Sequence, residues 1–156
     1  MEITTSLFFP ADPAAVFGLL TNQDFLADVA RESGATQHTV HIQDTITISE
    51  RTLDAPAAAH KFIGESLSIS ERRVWSSAQA DGSRTAQLTL TSPGQPIEMQ
   101  GTIALSPQRD GTRIDVRGDL KVRIPLVGKK LEKMAAPAVE SGIRAEERVG
   151  LRWLAR

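Results

Sequence analysis

Apolar and polar residues alternate with a period of two from Ala35 to Ile124, which is the pattern of strands whose side chains point to opposite faces of a sheet. Turn-forming residues interrupt the alternation at intervals of roughly ten residues. We therefore predict six strands, at 36–43, 45–53, 66–76, 84–91, 97–105 and 112–123. Short connections favour an antiparallel meander, because parallel strands need long crossovers. In the last strand, apolar residues alternate with charged ones, which predicts one covered face and one solvated face.

The residues before this region predict one strand and two short helices. The segment from Glu2 to Phe9 alternates like a strand. Asp12 followed by Pro13 predicts a helix start, because Asp caps free amide groups and proline has no donor to lose at the first helical position. Thr21, with an acidic residue three positions later, predicts the start of a second helix through a capping box. Gly34 then ends that helix, as glycine commonly does.

The last segment, Pro125 to Arg156, has the period of a helix. At 100° per residue, one stripe collects the residues that should face the sheet: Leu131, Met134, Ala135, Ala138, Gly142, Ala145, Val149 and Trp153. Bulky side chains lie at the two ends of this stripe, and small ones lie in its middle. A helix that only sealed a core would carry Leu or Ile there. Small residues instead permit either a close approach to the sheet or an unfilled space beneath the helix, and we favour the space.

Two further features of this segment leave alternatives open. Pro137 removes a backbone donor and crowds the preceding turn, so it should either curve the helix around the sheet or split it into two pieces. A row of arginines recurs at i, i+4 spacing, at Arg144, Arg148, Arg152 and Arg156. We interpret this row as a solvated helix face, although it could also contact an anionic surface.

One strand breaks the apolar pattern. Residues of one parity in the segment 66–76 are Leu67, Ile69, Glu71, Arg73 and Trp75. If this parity faces inward throughout, a carboxylate and a guanidinium enter the covered side, where mutual pairing would lower the cost of desolvating them. A bulge near Glu71 would instead turn both charges outward and leave Val74 inside, and a position at the rim of the sheet is a further alternative. In the first case, Glu71 and Arg73 would be the polar tethers of a cavity.

Composition excludes several classes of protein. The chain of 156 residues carries 18 basic and 19 acidic residues, and its net charge of −1 gives no field that would attract nucleic acid. Cysteine is absent, which excludes disulfides and thiolate metal sites. No apolar run approaches the roughly 18 residues of a membrane span, and the first residues do not have the pattern of a signal peptide. We expect a single domain over residues 1–156, a cytoplasmic location and no membrane insertion.

No catalytic motif is visible. The histidines are His38, His41 and His60, and the first two are three residues apart in a strand pattern, hence on opposite faces. No zinc-binding helix motif, glycine-rich phosphate loop or nucleophile elbow occurs in the sequence. We therefore predict no metal, no cofactor and no catalytic residue, although one well-placed Glu or His in a dry pocket can suffice for acid–base catalysis.

Two segments, Phe8–Phe17 and Val122–Glu132, are similar to those of an uncharacterised bacterial branch of a known superfamily. With the element order of the whole chain, they resemble the helix-grip fold of the START and pollen-allergen-like superfamily, also called the SRPBCC or polyketide cyclase and lipid-transport superfamily. The resemblance implies an α+β fold of the order β-α-α-β6-α, in which a curved antiparallel sheet of about seven strands wraps around the long C-terminal helix. It also implies an apolar cavity between sheet and helix.

The superfamily suggests a range of functions. Its members bind or move lipids, sterols and other hydrophobic molecules, and some cyclise polyketides or activate a chaperone partner. The superfamily has no universal catalytic set, so the resemblance implies no catalytic residue. The chain has only two tryptophans, five phenylalanines and no tyrosine, which argues against specific stacking of a planar polyketide.

We predict that the protein binds a small hydrophobic or amphipathic molecule, such as a lipid, between the sheet and the C-terminal helix, for transport or sequestration. The residues expected to contact the ligand lie at inward positions of the strands and of the helix: Glu71, Arg73, Trp75, Leu88, Leu90, Met99, Ile103, Val116, Leu120, Met134, Ala138, Gly142 and Trp153. One alternative is a cyclase or hydrolase that uses Glu71, Arg73 or a histidine. Another is an interaction module of the chaperone-activator type, which docks a protein through the solvated sheet face or the arginine row.

Overall fold

The computed structural model of the protein describes all 156 residues. Its strands are β1 (Glu2–Phe9), β2 (Gln37–Gln43), β3 (Ile46–Asp54), β4 (Ser66–Trp75), β5 (Arg84–Thr91), β6 (Ile97–Gln108) and β7 (Gly111–Val122). Its α-helices are α1 (Pro13–Leu20), α2 (Gln23–Glu32), α3 (His60–Ile63) and α4 (Gly128–Leu154). The predicted order is confirmed, and α3 with the 3-10 helix Ala57–Ala59 is added between β3 and β4.

All seven strands form one antiparallel sheet in the order β1-β7-β6-β5-β4-β3-β2. Strands β2 to β7 are a meander, in which each strand pairs with the next in sequence, and β1 pairs with β7. In β7, buried residues alternate with exposed or half-buried ones from Thr112 to Val122, as expected for a sheet with one covered face. The predicted α+β helix-grip fold is therefore confirmed.

Local capping sets the starts of α1 and α2. Asp12 is the N-cap of α1, and its carboxylate accepts a hydrogen bond from a first-turn amide at 2.8 Å. The N-cap of α2 is Asn22, which accepts from the Phe25 amide at 3.0 Å, so the prediction of Thr21 was wrong by one residue. The Thr21 hydroxyl instead donates to the carbonyl of Phe17, because it follows the last turn of α1 closely enough to bond back to it.

Helix α4 runs without a break through Pro137, so the proline does not split it. Both ends of the helix approach neighbouring elements closely. A Cβ atom added at Gly128 would lie 2.2 Å from the carbonyl oxygen of Val122. A Cβ atom added at Gly150 would lie 2.2 Å from the ring of Phe9. Only glycine permits these contacts, so the two ends of α4 are fixed against the sheet.

The apolar interior has two parts. The larger cluster contains most of the inward residues of the sheet with residues of α1, α2 and α4. The smaller cluster packs Phe62 and Ile63 of α3 near Val122 and Leu131, where α4 begins. No helix combines the length and the low polarity that a membrane span requires.

Candidate ligand-binding cavity

A cavity of about 420 Å³ lies between the sheet and the middle of α4. Of its 32 lining residues, 21 are hydrophobic. Strands β3 to β7 form one wall and α4 forms the opposite one, while α2 and the connection between β3 and β4 contribute the remaining sides. Members of both apolar clusters line it, so the cavity lies between them. Its volume falls in the usual range for small-molecule sites.

Ten of the thirteen residues predicted to contact a ligand line this cavity: Glu71, Arg73, Leu88, Leu90, Met99, Val116, Leu120, Met134, Ala138 and Gly142. They come from four neighbouring strands, β4 to β7, and from α4. Their contact with a ligand stays a prediction. The other three, Trp75, Ile103 and Trp153, do not line the cavity.

Trp75 and Ile103 lie in the solid part of the core, and Trp153 is half-buried against it. Trp75 is 3% exposed, and its ring packs edge-to-face against Phe17 with 5.5 Å between the centroids. Ile103 is 1% exposed. Trp153 donates from Nε1 to a carboxylate oxygen of Asp28 at 2.9 Å. Periodicity gives the face on which a residue lies but not its distance from a cavity, so it could not separate these residues from the other ten.

The small residues in the middle of α4 face open space. A Cβ atom added at Gly142 would have no atom outside its own helix within 4 Å, and Ala138 also lines the cavity. Closer to the C-terminus the contact returns, since Ala145 is 0% exposed and Gly150 packs on Phe9. Both alternatives considered for the small residues therefore occur, an unfilled space in the middle of the helix and a close approach near its end.

Strand β4 enters the cavity wall without a bulge. Its pairing with β3 is continuous from Ser66 to Val74, with Glu71 opposite Ser49. Its pairing with β5 is also continuous and places Arg73 opposite Leu88. The bulge alternative is therefore wrong, and Glu71 and Arg73 both face the covered side and line the cavity.

A network of ion pairs connects α4, β4 and β3 at one side of the cavity. Arg73, which is 7% exposed, donates from Nη1 and Nη2 to the two carboxylate oxygens of Glu146 at 2.9 and 2.8 Å. Its Nε donates to Glu71 at 2.8 Å. Beyond Glu71, Nη2 of Arg51 donates to the other carboxylate oxygen at 3.5 Å. The four charges alternate in sign, which lowers the cost of burying them.

The network keeps Glu71 and Arg73 ionised. Burial by itself raises the pKa of Glu71, but the guanidiniums of Arg73 and Arg51 and their hydrogen bonds outweigh burial and hold the pKa below its ordinary value. Burial also opposes the charge of Arg73, and the carboxylates of Glu146 and Glu71 more than compensate, so its pKa is raised. A carboxylate with a lowered pKa is a weak general base near neutral pH, so Glu71 is poorly suited to acid–base catalysis.

Two members of this network, Glu146 and Arg51, were not among the predicted site residues. Glu146 lies about 60° from the centre of the apolar stripe on a helical wheel, as far from it as Met134 lies on the other side. The charge of Glu146 at the edge of that apolar stripe was the feature of the sequence that could have indicated its place in the site. Arg51 has the inward parity of β3. Neither pattern reveals a partner, because Arg73 and Glu146 are 73 residues apart in the chain.

None of the three histidines lines the cavity. His38 is half-buried and His41 is exposed, which fits opposite faces of β2. The ring Nε2 of His60 lies 2.8 Å from the carbonyl oxygen of Ala55. No histidine side chain at this cavity could therefore take the catalytic role that the enzyme alternative gave to a histidine.

A curved antiparallel sheet around a long C-terminal helix, with an apolar cavity between them, is the helix-grip fold that START and pollen-allergen-like (SRPBCC) proteins share, so the fold implied by the resemblance is confirmed. Within this class, the chain belongs to the family described as "Protein of unknown function (DUF2505)", whose model matches residues 4–154.

Comparisons with individual proteins agree with this fold. The crystal structure of TTHA0849 from Thermus thermophilus has a TM-score of 0.67 at 21% identity, and the match covers 97% of this chain and 98% of that one. A STAR-related lipid transfer protein from Xanthomonas axonopodis has a TM-score of 0.67 at 13% identity, with 99% and 86% covered. At such identities the likeness shows the fold alone.

A similar sequence occurs in Mycobacterium tuberculosis. The uncharacterized protein Rv0481c is 26% identical to this chain over 106 residues. The match covers 67% of this chain and 60% of the length of that relative.

Proposed function

We propose that the protein binds a small hydrophobic or amphipathic molecule, such as a lipid, in the cavity between the sheet and α4, and so carries or sequesters it. The observation that supports this most directly is the open space beneath Gly142 in a helix that is closely packed at both ends. An unfilled space costs a protein the packing contacts of its lining atoms. A ligand that presents apolar surface to this wall would recover those contacts and bury that surface from water.

The comparisons support the same class of ligand. One neighbour of the same fold is named as a lipid transfer protein. The predominance of hydrophobic residues in the lining favours an apolar body for the ligand, and the charged network at one side favours a polar end. The ten predicted residues that line the cavity are proposed to contact the ligand.

Native mass spectrometry of the freshly purified full chain tests whether the cavity carries an occupant. We expect a non-covalent small-molecule adduct that is lost when the protein is denatured in organic solvent. The stripped protein should then bind the neutral apolar fluorophore N-phenyl-1-naphthylamine with an increase in its emission. A bare mass together with no fluorophore binding would contradict the proposal.

Replacing Gly142 with leucine should reduce fluorophore affinity at least tenfold without loss of stability. The new side chain would enter the cavity, where a Cβ atom meets no neighbour, and take the space of the ligand. Leucine also favours a helix over glycine by about 0.8 kcal/mol, so the melting temperature should hold or rise. Fluorescence titration and thermal unfolding measure the two effects.

Gly18→Leu is the matched control for this change. Gly18 lies on α1, is exposed, does not line the cavity and has no neighbour within 4 Å of an added Cβ atom. The substitution makes the same gain in helix propensity and should leave fluorophore binding unchanged. Equal binding by Gly142→Leu and Gly18→Leu would count against the cavity as the site.

A further inference from the structure

Two arginines of the cavity wall differ in how well their charges are paired. Arg73 donates three hydrogen bonds to carboxylates, at 2.8 or 2.9 Å. Arg51 has a single side-chain hydrogen bond within the protein, from Nη2 to Glu71 at the long distance of 3.5 Å. The Nε atom of Arg51 is buried and has no acceptor. Arg51 is therefore the under-paired guanidinium of this wall.

The neighbours of Arg51 in the sheet provide its side chain with no second hydrogen bond. It lies on β3 between Ser49 and Leu53, which share its parity and also line the cavity. Its cross-strand neighbour on β4 is the apolar Ile69, and its neighbour on β2 is His38, which carries no negative charge. The side chain of Arg51 is 16% exposed, so it is largely removed from water without a full set of partners.

The charges of the wall form a row of alternating sign that ends at Arg51. From α4 toward β3, the row is Glu146, Arg73, Glu71 and Arg51. A desolvated guanidinium with unused donors is costly, and a carboxylate satisfies these donors best, because it accepts two parallel hydrogen bonds from the planar fork. The remaining charged residue of the lining, Asp54, is exposed at the end of β3, where solvent screens its charge.

We propose that the ligand is a carboxylate-bearing amphipath of the fatty acid class, and that Arg51 binds its headgroup. This rests on the proposed binding function and narrows the class of ligand. The carboxylate continues the row of alternating charges beyond Arg51. The hydrocarbon tail lies against the apolar wall formed by Ile69, Leu88 and Leu90.

Displacement of N-phenyl-1-naphthylamine from the full chain by laurate and by dodecanol tests this assignment, because the two probes share a hydrocarbon length and differ in the headgroup. At about pH 8, where laurate is ionised, the wild-type protein should bind laurate at least tenfold more tightly than dodecanol. Arg51→Met should abolish this preference by weakening laurate binding, while dodecanol affinity stays within about twofold. Both probes are used below the concentrations at which they aggregate.

Arg72→Met is the matched control, because it removes an exposed arginine from the opposite face of β4 and changes the net charge equally. It should leave the preference for laurate unchanged. If Arg51→Met does not fold, the preference for laurate is measured on Arg51→Lys instead. Lysine keeps the charge without the bidentate fork, so the preference should fall but not vanish.

The outcomes separate this proposal from the function on which it rests. Equal affinity of the wild-type protein for laurate and dodecanol, or an undiminished preference in Arg51→Met, would overturn the carboxylate assignment and leave ligand binding intact. Failure of the fluorophore, laurate and dodecanol alike to bind would overturn the binding function itself.

Discussion

Replacing Arg73 with methionine is expected to lower the free energy of unfolding by about 3–5 kcal/mol. The guanidinium lies between Glu71 and Glu146 and hydrogen-bonds to both. Its removal leaves Glu71 with only the long hydrogen bond from Arg51 and leaves Glu146 without its guanidinium partner. Removing one partner of a buried network is more damaging than replacing the whole network by apolar groups, because the charge left behind is unpaired. Urea unfolding at about pH 7 measures the loss.

Two companion variants separate the loss of pairing from a general effect of the substitution. Arg72→Met, on the exposed face of the same strand, should change stability by no more than about 0.5 kcal/mol. The double variant Arg73→Met with Glu146→Leu should be more stable than Arg73→Met alone, because it removes one of the unpaired carboxylates. A loss in Arg73→Met no larger than in Arg72→Met would show that the network contributes nothing to stability.

The effect of Arg73→Met should also depend on pH in a defined direction. In the wild-type protein the pKa of Glu71 is below its ordinary value in the folded state, so its contribution to stability is present above the ordinary value and is lost as the pH falls through the folded-state pKa. Without Arg73, fewer positive charges counteract the effect of burial on the pKa of Glu71, so this pKa moves upward. The stability difference between the two proteins should therefore shrink between about pH 7 and about pH 4, and a constant difference would contradict this account.

Replacing Gly150 with leucine is expected to lower the free energy of unfolding by about 3 kcal/mol or more. The first added atom would already lie 2.2 Å from Cε1 of Phe9, and the ring of Phe9 is 0% exposed and cannot move into solvent. Either α4 must move away from β1 or the ring must leave its position in the core. Both changes cost more than the gain in helix propensity of about 0.8 kcal/mol, and denaturant unfolding reports the balance.

Gly142→Leu is the internal comparison for this prediction, because the same change is made two turns earlier in the same helix. It should hold or raise stability, since an added Cβ atom there meets no neighbour outside the helix. If Gly142→Leu and Gly150→Leu destabilised the protein equally, α4 would be packed evenly along its length, and the space beneath its middle would not exist in solution.

Much of the fold could be predicted from patterns that are local in the chain. The alternation of apolar and charged residues from Ile114 to Ile124 predicted the covered face of β7. Strand β1 has the bounds that its alternation indicated, and Asp12 caps α1 as its side-chain chemistry requires. The error at Thr21 is of one residue, because Thr and Asn are both good caps and stand side by side.

The charged part of the candidate site was harder to predict. The parity of β4 placed Glu71 and Arg73 on one face, but a bulge would have reversed that result, and only the continuous pairing with β3 and β5 decided between the two. The pairing of Arg73 with Glu146 joins residues 73 positions apart, and no local pattern encodes such a contact.

By itself, the sequence determined the covered face of strands such as β7, the start of α1 and the small residues in the middle of α4. These properties depend on side-chain chemistry and on neighbours within a few positions of the chain. The tertiary structure alone decided that Gly142 faces a space, that Gly150 faces the ring of Phe9 and that Arg51 ends a row of charges. These depend on how far the helix stands from a curved sheet at each turn, and that separation is set by elements distant in sequence.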